Sequence, residues 1–328
     1  MQIAISERSR DMSQQKVIFD TDPGVDDALA LYYLLRHPGI DLLGVTTVFG
    51  NAPVEVTTRN AAWLLKQWGH EDVPVHAGAS ATMTPDMAEE SFPTHIHGLN
   101  GLGDIPIDMA AGPVSETAAR FIIDTVRAHP GEVRLLAVGR MTNLARALAL
   151  DPGIAPLVRD VVIMGGAFRV PGNITPAAEA NIWGDALAAD VVFGAEWPVV
   201  AIPLDLTTQT FMDAATLQDL ARRGGAGMEL VAELSQDYVG FYRGAGYDGM
   251  LVHDCCAAVY LTDPDLFDLA RGEVRVVDRG IAIGLTLCNP EDRKGPLADW
   301  EGRPRQSYAH DGDAPAILAR IDQVCTAR

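Results

Sequence analysis

The chain has 328 residues, 48% of them hydrophobic, and its 25 basic and 44 acidic side chains give a formal charge of −19. That excess of acid excludes the basic face that nucleic acid or an anionic membrane surface requires. No apolar stretch nears the roughly 18 residues of a membrane span. The polar segment Met1–Arg10 lacks a signal-peptide core, so a cytoplasmic protein is expected.

Residues 1–15 read as a flexible lead-in and 16–328 as a single domain. Val17–Phe19 starts an alternation of short apolar runs and helical patterns. A helix follows around 27–36, Leu42–Val48 is followed by one around 53–68, and Val73–His76 leads through a loop-rich insert to one around 114–128. Val133–Val138 then precedes 142–149, and Val161–Met164 precedes 184–194. Val199–Ile202 precedes two helical stretches between 213 and 243, and the chain becomes more irregular from about 270. Strand–helix repetition at this spacing predicts βαβ units. The expected fold is α/β: a single-domain, mostly parallel Rossmann-like sheet with helices on both faces and the active site at the C-terminal strand ends. Three segments break the alternation, 78–107, 165–181 and 244–252, and loops of such length are usually functional. Cys255, Cys256, Cys288 and Cys325 form no CxxC pair and are expected as buried thiols, although the first two follow Asp254 directly and could line a site there.

The densest chemical signal lies at the first strand–helix junction, where Asp20, Asp22, Asp26 and Asp27 fall within eight residues. Carboxylates this close repel one another unless something positive neutralises them, and a hard cation bound through oxygen is the simplest candidate. Helix capping accounts for Asp26 or Asp27 but leaves Asp20 and Asp22 without a reason. In an open parallel sheet, ligands bind outside the carboxyl ends of the strands. The later strand ends supply Gly50-Asn51, an insert with His95 and His97, Val138-Gly139, a loop with Asn173, Glu179 and Asn181, and Asp205. Carboxylates and amides together can hold a cation and hydrogen-bond a sugar. A bound divalent cation lowers the pKa of water, and a nearby carboxylate can take its proton. Such a site suits hydrolysis at an anomeric carbon. His253-Asp254 opens a helix, either as a cap or, on the same rim, as a proton donor and a further oxygen ligand. His95 and His97 lack zinc-motif spacing; they face substrate from a loop or have no role.

Asp20-Thr21-Asp22-Pro23-Gly24-Val25-Asp26-Asp27 resembles the N-terminal DxDPGxDD signature of the nucleoside hydrolases, the inosine–uridine-preferring nucleoside N-ribohydrolases. The likeness continues in order through Thr46–Asn51, the turn Val138-Gly139-Arg140-Met141-Thr142-Asn143, Val161–Gly166, Gly172-Asn173 to Glu179-Ala180-Asn181, and Val252-His253-Asp254. The resemblance implies a Ca²⁺ ion held by Asp22, Asp27, the Val138 carbonyl and Asp254, with Asp22 also the base that deprotonates water on the ion. It implies that Asp26, Asn51, Asn181 and Asp254 grip the ribose 2′- and 3′-hydroxyls. Asn173 and Glu179 would reach the 5′-hydroxyl, with Met164 packed beside the sugar. His253 stands where a leaving-group acid is found, and His97 belongs to a loosely similar base-binding loop, as do Tyr242 and Tyr247. The implied substrate is a ribonucleoside, and the implied assembly a homodimer or homotetramer.

Two departures from the family pattern stand out. Ala180 replaces an aromatic residue between Glu179 and Asn181, and Arg140-Met141 replaces a common Pro-Leu; an outward, solvated Arg140 is expected. Asp20 is expected to support the loop from behind. Locally, Phe19-Asp20-Thr21-Asp22 also resembles the start of Mg²⁺-dependent haloacid-dehalogenase-type phosphatases, which would make Asp20 a nucleophile but leaves Asn51 and His253-Asp254 unexplained. A non-catalytic nucleoside or sugar binder is the third possibility.

Overall fold

The computed structural model describes residues 14–85, 92–244, 246–293 and 298–327. The lead-in expected over 1–15 lies outside the described residues as far as residue 13, and Gln15 already opens the first strand. In chain order the strands are β1 (Gln15–Thr21), β2 (Ile40–Thr47), β3 (Val75–Ala77), β4 (Arg134–Ala137), β5 (Asp160–Met164), β6 (Val199–Ile202), β7 (Phe211–Asp213), β8 (Gly249–Leu251), β9 (Phe267–Val276), β10 (Thr286–Pro290) and β11 (Arg305–Gly312).

Nine of them form one sheet in the order β10-β9-β11-β6-β5-β4-β1-β2-β3, while β7 and β8 make a separate antiparallel pair. From β3 to β11 the neighbours are parallel, and β9 and β10 extend the sheet antiparallel. Strand β1 is central because it is apolar on both faces: Val17 and Phe19 enter one core and Ile18 the other. Such near-continuous apolar strands are what a parallel sheet covered on both sides demands. Helices Val25–Arg36 and His253–Thr262 pack together on one face, and Ala118–Ala128, Thr142–Leu150 and Ala186–Phe193 cover the other. The chain adds β2 and β3 outward from β1, then returns to lay β4 on the other side. The order therefore reverses between β1 and β4, and a crevice opens at the carboxyl ends of such a pair.

Three details depart from the sequence expectation. The helical region between 213 and 243 holds three helices, Ala214–Gly224, Ala226–Leu234 and Gln236–Gly244, because Gly225 breaks the first two apart with a positive φ of 67°. The helix expected from 114 begins at Ala118. The chain beyond 270 is regular: β9, β10 and β11 extend the sheet, and Ala314–Cys325 is helical. Strand β9 escapes notice because Arg271, Glu273 and Arg275 interrupt its apolar residues; Arg305 on β11 pairs with Glu273 on this half-exposed margin. Among the described residues no helix is long and apolar enough to cross a membrane.

Candidate active site

Two helix N-termini converge at the crevice. The first turn of Val25–Arg36 carries Asp26 and Asp27, and that of His253–Thr262 carries Asp254. One carboxylate oxygen from each of the three lies within 4.8 Å of the others, and all three residues are buried. The positive ends of the two helices favour negative charge there. The approach is tight at Gly24, where a Cβ would come within 2.6 Å of both Asn51 Nδ2 and His97 Nδ1. Asp27 is held from several sides: Thr21 Oγ1 donates to Oδ1 at 2.5 Å, and Gly24 N–H and Asn51 Nδ2 donate to Oδ2 at 2.9 and 3.0 Å. Asp22, also buried, accepts the Asn51 N–H at 2.8 Å.

Burial, then the charge of Asp27, pushes Asp22 well above the usual carboxylate range. Burial and neighbouring carboxylates do the same for Asp26 and Asp254. Asp27 is raised by burial, although its hydrogen bonds oppose the shift. Buried carboxylates that share one space and cannot all ionise comfortably fit a hard divalent cation, whose charge relieves their repulsion. The trio Asp26, Asp27 and Asp254 shares Asp27 and Asp254 with the expected ligand set. Asp22 stands beside the trio, and the Val138 carbonyl accepts Asn181 Nδ2 at 2.6 Å.

A cavity of about 550 Å³ opens over this floor, within the range that binds small molecules. Every expected substrate contact lines it: Asp26, Asn51, Met164, Asn173, Glu179, Asn181, Asp254 and His97, with Asp22, Val138 and His253; Asp27 lies just outside. Several of these side chains are already committed. Both oxygens of Glu179 accept backbone N–H groups, from Asn181 to Oε1 and from Gly166 and Ile182 to Oε2, so this acid caps the short helix Ala180–Gly184. Asn51 and Asn181 use their amino groups on the protein, which leaves each a carbonyl oxygen for a hydroxyl donor. Asn173 Oδ1 accepts the Ala180 N–H at 3.0 Å, which leaves its amino group.

The far wall is aromatic. The helix Thr94–His97 packs on Gln236–Gly244, where His95 meets Phe241 edge-on and the His97 ring lies 5.4 Å from that of Tyr238. Tyr242 meets Tyr238 and Phe241 edge-on in this wall, and Trp183 also lines the cavity. Burial first, then the nearby histidines, lowers His97 to about 3, so it is neutral and accepts the Val25 N–H at 3.3 Å. Burial lowers His253 to about 4, and its Nδ1 lies 2.8 Å from Thr207 Oγ1.

A family model described as "Inosine-uridine preferring nucleoside hydrolase" matches residues 17–319. The chain belongs to this family. It is 40% identical over 313 residues to uridine nucleosidase 1 of Arabidopsis thaliana, covering 94% of this chain and 92% of that one. It is 37% identical over 281 residues to the pyrimidine-specific ribonucleoside hydrolase RihB of Escherichia coli, covering 85% and 88%. A solved plant nucleoside hydrolase, the PpNRh1 enzyme, superposes with a TM-score of 0.91 at 36% identity, covering 96% of this chain and 99% of that one. As a nucleoside hydrolase, the protein is an enzyme that cleaves ribonucleosides to ribose and free base.

The nucleoside hydrolase pocket differs from expectation at Arg140. This residue is not solvated: it is 7% exposed, lines the cavity, and sets its guanidinium 4.3 Å from the centre of the Phe49 ring. A Cβ at Gly184 would collide with it, so both neighbours are shaped to admit the charge. Sequence spacing carries no sign of this, because Phe49, Arg140 and Gly184 meet only in the fold. Asp20 lies behind the floor, outside the cavity, accepting from Thr46 Oγ1 at 2.6 Å and Asn143 Nδ2 at 2.7 Å. Asp205 is likewise structural, taking the Phe168 and Arg169 N–H groups and so fixing the base of the 165–176 loop. Tyr247 is 59% exposed and does not line the cavity; Tyr238, Phe241 and Trp183, which the sequence did not mark, do. Cys255 and Cys256 are wholly buried in the core.

Proposed function

We propose that the carboxylate floor holds Ca²⁺, that Asp22 is the general base and that His253 assists departure of the nucleobase. The observation that carries this is that Asp22, Asp26, Asp254 and His253 line one cavity, with Asp27 just behind it against Asp26 and Asp254. When bound, a divalent cation supplies Lewis-acid activation of water. Asp22, which lines the cavity beside the carboxylate trio, takes a proton from the water that attacks the anomeric carbon. Asp26 and the carbonyl oxygens of Asn51 and Asn181 accept hydrogen bonds from the ribose hydroxyls, which fixes the sugar for attack. His253 meets the base as a neutral ring, since burial keeps it unprotonated down to about 4, and donates a hydrogen bond from its remaining N–H as charge builds on the leaving base. The relatives named for uridine and pyrimidine ribonucleosides make uridine the first substrate to try.

The phosphatase alternative needs Asp20 in contact with substrate, and Asp20 is 1% exposed behind the floor. Release of reducing sugar should be measured from uridine, cytidine, inosine, adenosine, 2′-deoxyuridine and a phosphoester, with chelator and with Ca²⁺ added back. Ribose release that stops on chelation and returns with Ca²⁺ is expected, with little from the deoxynucleoside. Release insensitive to chelation removes the cation; stoichiometric binding without turnover favours a binder. A cytoplasmic homodimer or homotetramer is part of this proposal, and sedimentation reads the assembly.

A further inference from the structure

Thr207 closes the short helix Leu204–Thr207 after β6, is fully buried, and does not line the cavity. Its Oγ1 lies 2.8 Å from His253 Nδ1. The backbone around it is joined to the start of the His253 helix. Thr210 Oγ1 donates to the Thr207 carbonyl at 2.8 Å, and the Thr210 carbonyl accepts the Val252 N–H at 3.3 Å. Cys256, one turn along, donates to the Val252 carbonyl and has its Sγ 3.0 Å from Thr210 Oγ1. The hydroxyl therefore sits on a scaffold fixed relative to the ring it touches.

With Nδ1 occupied by Thr207 and the ring lining the cavity, Nε2 is the nitrogen left to meet a ligand. The partner of one ring nitrogen decides which nitrogen carries the hydrogen. A backbone carbonyl at Nδ1 can only accept, which would place the hydrogen there. A hydroxyl can also donate. When the Thr207 O–H donates to Nδ1, the neutral ring carries its hydrogen on Nε2, the side from which a leaving base can be reached. We propose that Thr207 is a positioning residue for base departure, whose hydroxyl fixes the His253 ring and keeps its hydrogen on Nε2. This rests on the donor role proposed for His253.

The test compares Thr207→Val, which keeps the shape without the hydroxyl, with Thr207→Ser, which keeps the hydroxyl. Thr207→Ala replaces the valine variant should that one fail to fold. Uridine needs help to expel its base, whereas p-nitrophenyl riboside has a leaving group that needs no proton. Thr207→Val is expected to lower kcat on uridine about tenfold, the worth of one such hydrogen bond, with p-nitrophenyl riboside within about twofold and KM little changed. Thr207→Ser should restore most of the loss. A structural defect would slow both substrates alike. His253→Ala, run in parallel, should show the same split more strongly. If it slows both substrates equally, the donor role fails and this proposal with it. If it splits them and Thr207→Val does not, or Thr207→Ser behaves like Thr207→Val, only the Thr207 assignment is overturned. The ¹⁵N spectrum of labelled histidines, with His253 assigned by its loss in His253→Ala, reads the tautomer directly. A hydrogen on Nε2 that persists unchanged in Thr207→Val overturns the assignment whatever the kinetics.

Discussion

At the floor of the cavity Asp22 and Asn51 follow the ends of central strands, Asp26 lies in the first turn of a buried helix and Asn181 in the short helix Ala180–Gly184, and most are held by at least one hydrogen bond with the protein. Across from them His95, Tyr238, Phe241 and Tyr242 come from two short helices packed on each other, and Phe241 is 38% exposed. Polar atoms with fixed partners set reacting groups to a fraction of an ångström, which is what bond cleavage needs. Rings packed edge to face offer area and tolerance, which is what holding one flat base among several needs. The difference predicts that floor substitutions act on kcat and wall substitutions on KM.

Asp22→Asn should break the floor most severely, with kcat down about a thousandfold or more and no loss of thermal stability, since it removes one charge from a crowded set. A near-normal rate would remove Asp22 as the base. Arg140→Met should cost less. The guanidinium opposes the upward shift of Asp22 and Glu179, so without it the acid limb of the pH profile of kcat/KM should move to higher pH, with activity near neutrality down about threefold to tenfold. An unmoved limb would mean that Arg140 only packs. Phe241→Ala should raise KM about threefold and leave kcat nearly unchanged, as expected for uniform binding lost at the wall; a matching fall in kcat would erase the distinction between the two sides.

Asp20→Asn should have the smallest effect on turnover and should appear in stability instead. Burial raises Asp20 from 3.8 to about 7, so the folded state binds this proton more tightly than the unfolded chain. Its contribution is fully present below 3.8 and is lost as pH rises through about 7. Denaturant unfolding should therefore show the wild type losing about 2 kcal/mol relative to Asp20→Asn between about pH 5 and about pH 8. A constant gap between the two proteins would mean that Asp20 does not titrate in that window.

The floor was readable in the sequence because its residues belong to short segments at strand ends, where local order and position in the fold coincide. Asp22, Asp26, Asp27 and Asn51 needed only the βαβ alternation to be placed on one rim, whereas Asp254, which follows β8 of the separate pair, was placed there by the family resemblance. The wall was not readable in that way. His95 meets Phe241 across a long stretch of chain, and nothing in the spacing of either residue announces the other. Arg140 turned inward for the same reason, since a charged residue after a strand is normally solvated and only Phe49 and Gly184 reverse that. The antiparallel margin formed by β9, β10 and β11 was hidden by its own charged residues, which exposed strands carry and buried ones do not.

Asp27 touches no part of the cavity surface, yet Thr21, Gly24 and Asn51 all donate to it and Asp254 lies against it. It joins the end of β1, the start of a buried helix, the loop after β2 and the His253 helix at a single carboxylate. In a mutational survey that sorts variants by cellular abundance, position 27 should therefore fall among the hydrophobic core positions, while position 22, which lines the cavity, should look dispensable. Only a survey sorted by turnover would put the two aspartates in the same class.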